Sequence, residues 1–194
     1  MLPGNTRSTT PVPGPYVDPH DQRVSRIVDH EMGGIAISDA SAGLTYQTWT
    51  LSYGASGGQM VLSPETGSPT LLFTRGGITE VSLAFDQNMR PAVAYTLNSR
   101  VYLWWYDTVP AAYVTSDFGI GRSPHLCMDD KRVTAVGQSD VLLAYIQAGQ
   151  LKYRQQRDRF LTERVLLPFV YPNTRILSFG MSEKLRVQIE LAEP

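Results

Sequence analysis

From Val81 to Asp107 the sequence VSLAFDQNMRPAVAYTLNSRVYLWWYD steps between large apolar residues and small or polar ones with a period of two. Val81, Leu83 and Phe85 alternate with Ser82 and Ala84, which sends the large groups to one face of a strand. Asp86-Gln87-Asn88 supplies turn chemistry, and Pro91 opens a second strand at a place where its missing N–H does no harm. Val93 and Tyr95 lead to another turn at Asn98-Ser99, and Val101 to Tyr106 is a third strand of nearly continuous aromatic and β-branched character. The stretch predicts a β-meander.

The same pattern returns twice. Leu83-Ala84-Phe85-Asp86 is echoed by Leu126-Cys127-Met128-Asp129, Ala94-Tyr95 by Ala144-Tyr145, and Val101–Asp107 by Leu151–Asp158. Leu177–Leu191 aligns without a gap on Leu83–Leu97. A repeat of roughly 43 to 51 residues, each copy a small antiparallel sheet, has the length of a propeller blade. Copies are expected at 81–115, 124–167 and 176–191. The fold class is all-β, with blade-like meanders stacked as a propeller or a sandwich. Further strands are expected at 44–53, 59–62 and 70–74, and the strands near Leu44 and Thr70 would complete the last copy. Three sheets are too few for a closed ring, which needs about four. The alternatives are a sandwich, or open edges covered by other subunits.

Residues 1–32 have a different character. Pro3, Pro11, Pro13, Pro15 and Pro19 block regular structure and favour an extended form. The segment reads either as a tail or as a docking arm that lies along a neighbour, anchored by Pro13, Tyr16, Val24, Ile27 and Val28. Gln22–His30 would form a helical turn or two, ended by Gly33-Gly34. The β-rich body then covers 33–194.

Composition narrows the function classes. The net charge of −1 argues against whole-molecule electrostatic reading of nucleic acid or an anionic membrane. Only 18% of residues are charged, against 16 Gly and 13 Pro, a balance suited to a turn-rich β-protein with much of its surface covered. One cysteine, Cys127, leaves no intrachain disulfide framework. Neither a membrane-spanning run nor a signal peptide is legible, so synthesis and folding in a cytoplasm are expected.

Candidate chemistry is sparse. His125, Cys127 and Asp129 alternate onto one strand face, as a metal site would need, but no second ligand group follows at a suitable spacing. Gly54–Gly58 lacks the spacing of a nucleophile elbow, and Gly119-Ile120-Gly121 lacks the rest of a phosphate loop. No catalytic residue, cofactor or metal is assigned. Two strands stand out as binding surfaces. Trp104, Trp105 and Tyr106 place at least one indole away from the other, toward a second sheet, a partner or solvent. Lys152, Arg154, Arg157, Arg159 and Arg164 are either a polyanion-binding strip or a polar outer strand balanced by Asp158 and Glu163.

The segments GIAISDASAGLTYQTWTLSY, SLAFDQNMRPAVAY, CMDDKR and LLAYIQAGQLKYRQQRDRF together resemble a group of small β-rich structural proteins of tailed bacteriophage particles. The resemblance covers most of residues 33–191 and implies a virion component of the tail or tail fibre, assembled in the bacterial cytoplasm. It carries no catalytic motif. The expected partners are copies of the chain and other phage structural subunits in the tail, adaptor or portal-proximal region. The expectation is thus a non-enzymatic assembly protein; the alternative is a module that binds a host-surface glycan or receptor.

Overall fold

The computed structural model describes residues 31–38, 45–54, 56–64, 66–86, 88, 90–128, 140–181 and 186–192, with side chains from Trp49 onward. The helical turn expected at Gln22–His30 and the arm contacts Pro13, Tyr16, Val24, Ile27 and Val28 lie outside these residues. Sheet 1 contains β1 (Glu31–Ser38), β2 (Thr45–Gly54), β3 (Gln59–Pro64) and β4 (Thr70–Thr74). Sheet 2 contains β5 (Ile78–Phe85), β6 (Pro91–Leu97), β7 (Arg100–Asp107) and β8 (Ala112–Ile120). Sheet 3 contains β9 (Arg122–Met128), β10 (Val141–Gln147), β11 (Gln150–Gln155) and β12 (Arg164–Leu167), and sheet 4 contains β13 (Arg175–Met181) and β14 (Val187–Ala192). Every sheet is antiparallel, with its strands side by side in chain order. The chain is therefore all-β, a propeller- or sandwich-like stack of meanders.

Two expectations need correction. The strands near Leu44 and Thr70 do not complete the last copy: they join β1 in a sheet of their own at the start of the body. The register runs from Glu31↔Ser52 to Ser38↔Thr45 and carries Gly33-Gly34 as extended backbone opposite Thr50 and Trp49. A hairpin between neighbours in sequence closes a short loop, whereas a return to the far end of the chain closes a long one. The second correction concerns the third copy. Phe85, Met128 and Met181 each end the first strand of their sheet, and Leu83, Leu126 and Phe179 stand two residues before them. Phe179 rather than Leu177 is thus the counterpart of Leu83. A shift of two keeps every side chain on its face, so alternation alone does not reveal it. The irregularity between Ile176 and Ser178 then leaves Leu177 exposed.

The first two copies do match. Leu97↔Arg100 and Gln147↔Gln150 close equivalent hairpins. Their turns, Asn98-Ser99 at φ 50° and 58° and Ala148-Gly149 at φ 50° and 72°, are the left-handed pairs that suit the twist of a two-residue hairpin.

Alternation builds three cores at once. On β6, Val93, Tyr95 and Leu97 pack with Leu51, Tyr53 and Met60 of sheet 1, while Ala92 and Ala94 pack with Leu143 and Tyr145 of sheet 3. On β10, Val141, Leu143 and Tyr145 face back to sheet 2, and Leu142, Ala144 and Ile146 face forward to Ile176 and Phe179 of sheet 4. Both faces of β6 and β10 are buried, which is why β10 reads as an unbroken apolar run. Each fully buried large side chain contributes roughly 2 kcal/mol.

The first strands lie beside one another, β1 by β5, β5 by β9 and β9 by β13. Their backbone edges are met by side chains of the preceding first strand. Ser123 N–H donates to Glu80 Oε2 at 2.8 Å, and Leu126 N–H to Ser82 Oγ at 2.9 Å. Ile176 N–H donates to Ser123 Oγ at 2.8 Å. Small polar residues on otherwise apolar strands thus satisfy donors that no neighbouring strand pairs.

Candidate functional site

Trp104 and Trp105 do face opposite ways. Trp105 is 4% exposed between sheets 2 and 3, edge-on to Phe160 at 4.9 Å, with Nε1–H donating to Ser116 Oγ at 3.1 Å. Its indole belongs to the core. Trp104 and Tyr106 lie on the other face with Tyr113 of β8. Trp104 stacks on Tyr113 at 4.0 Å, Tyr106 meets Tyr113 edge-on at 5.3 Å, and Phe73 of sheet 1 closes on Trp104 at 5.4 Å. Arg90 sits over Tyr106 at 4.1 Å, held by Asp86 at 2.8 Å. The surface this aromatic group offers is Tyr113, 39% exposed, and the outer part of Tyr106.

The basic strand is neutralised from within. Glu163 accepts from Lys152 Nζ at 2.6 Å, Arg154 Nη2 at 3.0 Å and the Tyr145 hydroxyl at 2.7 Å. Arg154 also donates to the Phe160 and Leu161 carbonyls and rests on the Phe118 ring at 4.9 Å. Burial pushes the Tyr145 phenol up to about 12. Although burial opposes it, the Lys152, Tyr145 and Arg154 donors hold the Glu163 carboxyl below its ordinary range. Arg157 pairs with Asp140, Arg159 with Asp107 and Arg164 with Asp158. Of the two readings of this strip, the charge-balanced one holds: it is a set of ion pairs, with Glu163 and Asp158 among the acids. A single 3-10 turn, Gln156–Asp158, and a left-handed pair, Arg159-Phe160 at φ 59° and 58°, bring Phe160 back under the sheet.

His125 and Cys127 share a face, as alternation requires, and both are buried toward sheet 4. Asp129 lies outside the described residues. Burial holds His125 neutral and depresses it from 6.5 to about 4. Nδ1 lies 3.4 Å from the Ser123 carbonyl, and Nε2 makes no hydrogen bond of ordinary geometry among the described residues.

Two features escaped the sequence reading. Sheet 4 has two strands where each of the others has four, and the outer edge of β14 pairs with no strand among the described residues. Where the first strands begin, beside the Asn98-Ser99 and Ala148 turns, an open groove of about 620 Å³ holds Glu80, Thr96, Asn98, Arg122 and Arg175. Gly121 alone joins β8 to β9 there; a Cβ would come within 3.0 Å of the Ile146 carbonyl and 3.1 Å of Val101. The one available signal was positional, since Arg122 and Arg175 each open the first strand of a sheet.

No protein-family model, curated protein or solved structure matches this chain.

Proposed function

We propose that this chain is a non-enzymatic structural component of a tailed-phage virion, in the tail or tail fibre, docked to neighbouring subunits through the N-terminal arm that precedes β1. The observation that carries the assembly reading is the edge of β14, which pairs with no strand among the described residues, on a sheet of two strands where the others have four. An open edge is a template for a strand from another molecule, and sheets 2 and 3, whose inner strands β6 and β10 are buried on both faces, supply a rigid body behind it. The phage setting rests on the resemblance of the quoted segments.

Mass photometry of the purified full chain tests the reading directly. Oligomers that dissociate on dilution are expected; a 21.5 kDa monomer at every concentration overturns it. A chain starting at Glu31, the first residue of β1, should keep the β-signature of the body and fail to enter particles.

A further inference from the structure

The arginines of sheets 2 and 3 and the strand that follows fall into two groups. Arg90, Arg100, Arg154, Arg157, Arg159 and Arg164 each meet a carboxylate: Asp86, Asp117, Glu163, Asp140, Asp107 and Asp158 in turn. Arg122 and Arg175 meet none among the described residues, and both line the same groove. Arg122 donates from Nε to the carbonyl of Thr174 at 3.3 Å, which fixes its guanidinium beside the residue that precedes Arg175. Two cations that form no ion pair among the described residues, one of them tethered, make a site for an anion supplied from outside.

The rest of the groove narrows the anion. Glu80 uses Oε2 to accept from Thr96 Oγ1 at 2.7 Å and from Ser123 N–H, and its Oε1 makes no hydrogen bond among the described residues. Thr79, Asn98 and Ser99 add hydroxyl and amide groups, and the exposed Ile120 adds apolar surface. A phosphate dianion would meet the negative charge of Glu80. A sugar acid suits every part: its planar carboxylate matches a guanidinium fork, its hydroxyls donate to Glu80 Oε1 and exchange bonds with Asn98 and Ser99, and its C–H face lies on isoleucine. The volume is within the roughly 300–1,000 Å³ of ligand sites. We infer that this groove binds a carboxylated sugar, the uronic-acid unit of an acidic polysaccharide. The site stands independently of the assembly reading.

Isothermal titration of the full chain with digalacturonate, cellobiose and inorganic phosphate tests it. Saturable digalacturonate binding is expected, weakened about tenfold or more by Arg175→Gln and by Arg122→Gln. Arg100→Gln, outside the groove, leaves it unchanged, and cellobiose and phosphate bind at least about tenfold more weakly. Arg175 is exposed, so Arg175→Gln keeps the fold intact while removing one cation. Absence of saturable digalacturonate binding overturns the inference. So does full affinity in both groove variants, or equal affinity for cellobiose or phosphate.

Discussion

Tyr95 and Tyr145 occupy the same place in successive sheets, and their surroundings have opposite chemistry. Tyr95 pairs across the hairpin with Tyr102, Tyr145 with Lys152; two residues on, Trp104 of β7 corresponds to Arg154 of β11. Tyr95 stacks on Tyr102 at 5.4 Å and packs against Phe73, extending an aromatic seam into sheet 1. Tyr145 instead shares Glu163 with two cations. Backbone position thus settles where a side chain stands and leaves open how the space around it is filled. The aromatic seam gains from area and ring geometry, without regard to pH. The polar one holds only because Glu163 answers several donors together; with one member gone, the others are stranded at low exposure, 11% for Lys152 and 15% for Arg154.

The sharpest way to break this comparison is Glu163→Leu, which strands Lys152, Arg154 and the Tyr145 hydroxyl together. A loss of about 3 to 4 kcal/mol is expected in urea unfolding. A change below about 1 kcal/mol would show that water takes over the network.

Acid should then separate the two regions. Because His125 is depressed in the folded state, its contribution is complete above its unfolded value of 6.5 and is lost as pH falls toward about 4, up to about 3 kcal/mol in all. Glu163, held below 4.5, loses its contribution only further down, as pH falls through its folded value. Urea midpoints measured from pH 7 to pH 4 should decline in the wild type and flatten in His125→Gln. Hydrogen exchange at the acid end should rise in β9, β10 and β13 before β2, β3 and β6.

The smallest effect belongs to the aromatic side. Trp104→Ala removes a half-buried indole from between Phe73 and Tyr113, with an expected cost of about 2 kcal/mol that does not vary between pH 7 and pH 4. A pH-dependent loss would mean that the aromatic seam, too, relies on charge.

Much of this fold was open to reading residue by residue. Val81, Leu83 and Phe85 share a face, Asn98-Ser99 turns the chain, and the two indoles diverge, because each depends only on a two-residue period and local turn chemistry. Leu177 and Phe179 are equally good counterparts of Leu83 in sequence because a two-residue shift preserves that period. The candidate sites were less legible. Arg154 and Arg122 are the same residue type, but one is met by a carboxylate nine positions away and the other opens into a groove shared with another sheet.

What the chain order determined by itself is the meander, since antiparallel neighbours joined by short turns need no distant information. What tertiary structure alone decided is which sheet each face meets. Small Ala92 and Ala94 admit sheet 3 on one side of β6 while Tyr95 reaches sheet 1 on the other. The physical reason is that alternation specifies two faces without naming their partners. Close packing and the pairing of every costly charge select among the possible stacks, and those terms exist only once the sheets are brought together.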